Sequence, residues 1–185
     1  MTAILKPLGF SLRPQSDWQV VEAEENAPTF IENALTKARQ AVVHTGLPSI
    51  GDDSGLVVPF LQGEPGIHSA RYAGEGATDQ ANIDKLLMAL EGRSGIDRQA
   101  YFYCALVLVK TAEDPAPMVA TARWHGEVLC SRQGDGGFGY DPVFGVSALG
   151  VSGQQCSAAE LAQEDKNRIS HRAQALRELV RLILC

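Results

Sequence analysis

Two adjacent carboxylates, Asp52 and Asp53, stand in the run Asp52-Asp53-Ser54-Gly55, directly after the apolar stretch 47–51. Neighbouring residues of a strand point to opposite sides. If the strand continues through this run, one carboxylate faces a ligand while the other anchors the loop. Hard oxygen donors of this kind suit Mg²⁺, which takes one or two carboxylates and fills its shell with water and phosphate oxygens. The acidic cluster Glu22, Glu24 and Glu25 offers a second carboxylate to the same metal. An Asx turn ahead of Gly55 and a solvated acidic loop are the readings without chemistry.

A second candidate is the glycine-rich run Gly134-Asp135-Gly136-Gly137-Phe138-Gly139-Tyr140-Asp141-Pro142. Glycines let the backbone approach a ligand closely, aromatic rings offer a face for a base, and Asp141 can accept from ring N–H groups. A hairpin loop with one ring tucked into the core is the plainer reading. The third is Lys166-Asn167-Arg168-Ile169-Ser170-His171-Arg172, which gathers cations around the start of the last helix. Free N–H groups and the positive dipole end favour an anion or a carbonyl there. His68-Ser69-Ala70-Arg71-Tyr72 reads as a packed turn. Cys104, Cys130, Cys156 and Cys185 form no C-x-x-C pair, and the four histidines lack the spacing of a helical metal site. The thiols read as buried or incidental.

The elements that must position these groups follow from periodicity. Thr29-Phe30-Ile31-Glu32 has capping-box form, Ile31, Ala34, Leu35, Ala38 and Val42 recur at helical spacing, and Gly46 is the stop. Residues 47–51 read as a short buried strand emptying into the Asp52–Gly55 loop, and 10–14 as another short strand. Residues 78–91 form a second helix with Ile83, Leu86, Leu87 and Leu90 on one face and Gly92 behind it. Residues 99–110 and 118–130 read as two long antiparallel strands around the turn Asp114-Pro115-Ala116-Pro117. Ser157-Ala158-Ala159-Glu160 repeats the capping-box form, and the chain ends in a helix striped by Ile169, Ala173, Leu176, Val180 and Ile183. Helices and strands alternate around a long hairpin, so the class is α/β with a mixed sheet flanked by helices.

The chain has 185 residues, 45% hydrophobic and 21% charged, which fits a single globular domain spanning 1–185. Sixteen basic against 22 acidic residues leave a net charge of −6, which disfavours a nucleic-acid partner. The longest apolar run, 104–109, is far below the roughly 18 residues of a membrane span, and no secretory signal opens the chain. A cytoplasmic protein without a membrane partner is expected.

Together these segments resemble the inosine triphosphate pyrophosphatase family, the non-standard purine nucleoside triphosphate (XTP/dITP) pyrophosphatases. The resemblance rests on residues 29–38, 52–56, 65–74, 137–142, 159–161, Lys166-Asn167 and 170–172, in order over nearly the whole chain. It implies an elongated mixed sheet in two lobes with a central nucleotide cleft. The implied reaction is Mg²⁺-dependent cleavage of ITP, dITP and XTP to the monophosphate and pyrophosphate, by a homodimer that cleanses the nucleotide pool. By motif, Asp53 matches the metal carboxylate and general base, and Glu25 a second metal carboxylate. Lys37 and Ser54 sit where the family contacts polyphosphate. Phe138, Gly139, Tyr140, Asp141, Lys166, His171 and Arg172 match the base pocket, with His171 and Arg172 as donors to the purine 6-oxo group.

Three departures accompany the match. The family's opening strand and T/S-x-N-x-x-K phosphate turn have no counterpart, Ala27 replaces a usual Gly, and the stretch 145–155 is longer than usual. The first supports an alternative, a non-catalytic or weakly active nucleotide-binding relative. Residues 2–9 read as the end of a helix, and Met1 as a start placed about 10–20 residues too late, enough for one strand and a turn.

Overall fold

The computed structural model describes residues 5–18, 20–21, 23–147 and 155–185. Glu22, residues 2–4 of the expected opening helix, and most of the long 145–155 link lie outside the described residues. Four α-helices are described, α1 (Phe30–Thr45), α2 (Asp79–Ala89), α3 (Gln163–Ile169) and α4 (His171–Leu184). Five strands, β1 (Ser49–Val57), β2 (Gln99–Val109), β3 (Met118–Val128), β4 (Phe144–Ser147) and β5 (Gln155–Ser157), form one antiparallel sheet in the order β1-β2-β3-β4-β5. The mixed α/β architecture is as read from the sequence.

Two compact units divide the chain, the first comprising Met1–Ser54, Cys104–Ala122 and His171–Cys185, the second Gly55–Tyr103 and Arg123–Ser170. In the first unit, Leu5, Cys104, Leu106, Ala120, Ala175, Leu176 and Leu179 form the core. The capping box opens α1 as expected: Thr29 Oγ1 accepts from the Glu32 N–H at 3.2 Å and donates to Glu32 Oε2 at 2.6 Å. Gly46, in the left-handed region at φ 68°, stops the helix. Its buried face is Asn33, Ala34, Ala38 and Val42, so the polar Asn33 takes a place in the stripe while Ile31 stays exposed.

The second unit is built around Leu56, Ile83, Leu86, Leu90, Phe102, Trp124, Phe144 and their neighbours. Trp124 and Phe144 meet edge to face at 5.3 Å. Close approach of β3 to β4 needs Gly126, since a Cβ there would collide with the Gly145 carbonyl and the Phe144 ring. Registers Glu127↔Gly145 and Val146↔Cys156 fix the short strands. Arg98 is buried, and its guanidinium donates to the carbonyls of Leu90, Val128 and Leu129 at 2.6–2.8 Å. Those bonds satisfy carbonyls at the end of α2 and at the end of β3.

Four expectations need correction. Residues 10–14 form no strand and lead into a short 3₁₀ turn, Gln15–Trp18. The Asp52–Gly55 run is not a loop: β1 continues unbroken through it. Ser157 and Glu160 keep half of a capping box, the Ser157 N–H donating to Glu160 Oε2 at 2.8 Å, yet only a turn follows Ser157, which ends β5 and whose hydroxyl donates to the Gln133 carbonyl at 2.6 Å. The terminal helix is two helices, broken where Ser170 is extended (φ −63°, ψ 156°). Its α4 part buries Ala173, Ala175, Leu176 and Leu179, a stripe shifted from the expected one.

Candidate active site

Continuation of β1 through Asp52 and Asp53 decides where each carboxylate goes. Gly51, Asp53 and Gly55 alternate as the buried side of the strand, Asp52 and Ser54 as the half-buried side. Gly51 is obligatory, since a Cβ there would run into the Ala34 carbonyl of α1. That close approach brings Asp53, only 6% exposed, against the same helix.

Helix α1 meets Asp53 with two side chains four residues apart, hence on one face. Asn33 Nδ2 donates to Asp53 Oδ2 at 3.3 Å, and Lys37 Nζ donates to Asp53 Oδ1 at 3.0 Å and to the Asp52 carbonyl at 3.1 Å. Lys37 also pairs with Glu25 at 2.7 Å, so two carboxylates converge on one cation. The acidic segment is held in place by Asn33, whose Oδ1 accepts from the Ala27 N–H at 3.0 Å. Burial pushes the Asp53 carboxyl above the usual range, and the Lys37 hydrogen bond and charge offset only part of that. Burial pulls Lys37 down, but its hydrogen bonds to Glu25 and Asp53 and their charges leave it above its ordinary value.

On the other side of β1, Arg172, from the first turn of α4, donates through Nε to Asp52 Oδ2 at 2.5 Å and through Nη2 to Ser54 Oγ at 3.0 Å. Ser54 Oγ in turn donates to Asp52 Oδ1 at 3.2 Å. The thiol of buried Cys104 lies 3.8 Å from Asp52 Oδ1 and is pushed up, by burial first and then by the Asp52 charge. His171 is buried at the start of α4. A cavity of about 1110 Å³ in this unit is lined by Glu25, Lys37 and Asp52 together with Phe10, Leu12 and Trp18. Apolar walls with a few convergent polar groups are what small-molecule sites present.

The glycine-rich loop belongs to the second unit. Phe138 is 63% exposed, whereas Tyr140 and Asp141, which follow it, are buried. Asp141 Oδ2 accepts from the Phe138 N–H at 2.8 Å and from buried Lys166, whose Nζ lies 4.8 Å from the Phe138 ring centroid. Gly137 is needed where a Cβ would collide with the Asp141 carboxylate, and its φ of 78° is left-handed. Tyr140 Oη donates to the Ser69 carbonyl at 2.9 Å, and Gly139 N–H donates to Asp79 Oδ2 at 2.7 Å.

The first unit therefore gathers Glu25, Lys37, Asp53, Ser54, His171 and Arg172, and the second Phe138, Gly139, Tyr140, Asp141 and Lys166. Asn33 is the addition, and Asp52 is the one of the two adjacent carboxylates that anchors Arg172. The four-residue spacing of Asn33 and Lys37 was a usable signal, but nothing in the sequence announces a partnership between Asp52 and Arg172, 120 positions apart. Among the described residues, no three His, Cys, Asp or Glu side chains cluster as a metal cage, and no helix is long and apolar enough to cross a membrane.

A sequence model of the Ham1 family matches residues 1–182. The dITP/XTP pyrophosphatase of Idiomarina loihiensis is 53% identical over 169 residues, 91% of this chain and 81% of that protein. The enzyme of the same name from Methylococcus capsulatus is 51% identical over 175 residues, 95% of this chain and 85% of its own length. Among solved structures, a HAM1 protein from Coxiella burnetii superposes with a TM-score of 0.88 at 43% identity, covering 99% of this chain and 90% of that one. With a family model spanning nearly the whole chain, relatives about half identical to it and a solved fold that superposes over its length, the chain belongs to the Ham1 family.

Proposed function

We propose that the chain hydrolyses non-standard purine nucleoside triphosphates (dITP, ITP and XTP) to the monophosphate and pyrophosphate. Residues 1–185 act as one catalytic domain in a cytoplasmic homodimer that needs neither nucleic acid nor membrane. The observation that carries the reading is the pairing of Asp53 and Glu25 about Lys37 Nζ, within a chain about half identical to proteins named for this activity. Two hard oxygen donors converging on one cation position fit a divalent metal of the Mg²⁺ type, with Glu25 and Asp53 as its ligands. When bound, Mg²⁺ supplies charge neutralisation on the phosphates.

The chain's own groups divide the remaining work. Asp53 is the general base: its buried carboxylate, held in one orientation by Lys37 and Asn33, draws a proton from the water attacking the α-phosphorus. The bond from that phosphorus to the bridging oxygen breaks, and pyrophosphate leaves. Lys37 and Ser54 hold polyphosphate oxygens, and Arg172 is kept in place for the substrate by Asp52. Phe138 offers its exposed ring for stacking, with Lys166 and Asp141 behind it. His171 and Arg172 donate to the 6-oxo group; adenine would leave those donors facing an amino group, which disfavours ATP.

The test is incubation with Mg²⁺ and ITP, dITP, XTP, ATP or GTP. Monophosphate plus pyrophosphate, with the oxo-purines preferred and activity abolished by a chelator, is the expected result. Release of orthophosphate from the γ-position would overturn the reaction assigned.

A further inference from the structure

Residues 131–138 of the glycine-rich connection between β3 and β4 are all exposed, so that stretch has little apolar anchorage of its own. What holds its crest is polar. Asp79, the first residue of α2, accepts the Gly139 N–H at 2.7 Å across 60 positions of sequence. The same helix grips the near end of the loop, Arg132 donating to Asp84 at 2.8 Å and to the Gln80 carbonyl at 3.1 Å. Gly139 is left-handed at φ 57° and sits between exposed Phe138 and buried Tyr140. Its N–H belongs to the peptide that follows Phe138, so Asp79 fixes that peptide while Asp141 accepts the Phe138 N–H on the other side.

From this geometry we propose that Asp79 is a positioning residue, clamping the Gly139 peptide so that Phe138 is presented ready for the purine. The inference rests on the function proposed above and extends it to a residue outside the cavity-lining set. A loop that is already ordered loses less conformational freedom when a base stacks on it, so affinity gains while the chemical step is untouched. Asp79 also lies in the first turn of α2, where an acidic side chain favours the helix dipole. A merely structural role would therefore act through charge and stability, which Asp79→Ala and Asp79→Asn share. The clamp needs only an acceptor, which Asn retains and Ala lacks.

Both variants are to be compared with the wild type by ITP and ATP kinetics, thermal melting and amide exchange at Gly139. Asp79→Ala is expected to raise KM for ITP roughly three- to tenfold with kcat within about twofold, the loss of one charge-assisted hydrogen bond. Protection of the Gly139 amide should fall in parallel. Asp79→Asn should restore KM and protection while melting at the same temperature as Asp79→Ala. Unchanged KM in Asp79→Ala, loss of kcat instead of KM, or Asn behaving as Ala would overturn the proposal. A wild type that leaves ITP intact counts against the proposed function. The clamp is then decided by Gly139 exchange alone, lost in Ala and kept in Asn if it exists, equal in both if it does not.

Discussion

Asp53 serves two demands that pull against each other. Burial against α1 makes its charged form costly, and Lys37 and Asn33 offset part of that cost by hydrogen bonding. A carboxylate in that balance is a better base than a solvated one and is still held in a single orientation. Asp53→Asn keeps the shape and an acceptor for Lys37, so the protein should remain folded by circular dichroism. On the proposed mechanism, in which Asp53 is both base and metal ligand, turnover should fall by several powers of ten. Near-normal turnover would transfer the role to Asp52. Arg172 offers the complementary experiment. Arg172→Ala should reduce the preference for ITP over ATP by roughly tenfold or more, the scale of a charged donor to the 6-oxo oxygen. Equal losses on both nucleotides would show that its work is done on phosphate or on Asp52.

At the level of elements, what could be read from sequence was what is local. The Thr29 box, the Gly46 stop and the Asp114 turn each depend on neighbours within a few residues, and each forms as expected. Misreadings arose where a distant partner overrode a local preference. Asp and Gly favour turns, yet Asp52 to Gly55 are strand because α1 packs against Gly51 and supplies Lys37 and Asn33. Ser157 to Glu160 carries a helix signature, yet Ser157 ends β5 and its side chain is tied to the distant Gln133 carbonyl. The candidate residues were found by motif, but their pairings, Arg172 with Asp52 above all, depend on which strand faces which helix. The α1–β1 contact can be weighed directly. Gly51→Ala places a methyl group on the Ala34 carbonyl and should destabilise the protein by about 3 kcal/mol in urea melts. Because backbone must shift to relieve it, turnover of the surviving folded fraction should fall too. An unchanged midpoint would mean that α1 can retreat freely.

For the molecule as a whole, titration behaviour is set by a few enclosed groups more than by the net charge of −6. Tyr72 is the clearest. Burial, then its 3.0 Å hydrogen bond to Glu64 and that residue's charge, push its phenol up to about 12 from an ordinary 10. A raised value in the fold means that the folded state holds the proton more tightly than the unfolded chain. The stability this contributes is complete below pH 10 and is lost as pH rises through about 12. Melting temperatures measured from pH 9 to 12 should therefore fall, and phenolate absorbance from Tyr72 should appear only near the top of that range. Tyr72→Phe should flatten part of the fall while lowering stability at neutral pH. An alkaline profile identical in the two proteins would remove Tyr72 from the account.

The alternation along β1 constrains the gene as well as the protein. Gly51 and Asp53 must share the face against α1 while Asp52 and Ser54 share the other. Inserting or deleting one codon within 51–54 would turn one pair outward and the other inward, since a single-residue slip exchanges every side chain of a strand between faces. A point substitution there alters one side chain, whereas a change of length misplaces several at once. Among related genes, length variation should be missing from 51–54 and should gather on either side, at 46–48 and in the turns after Val57.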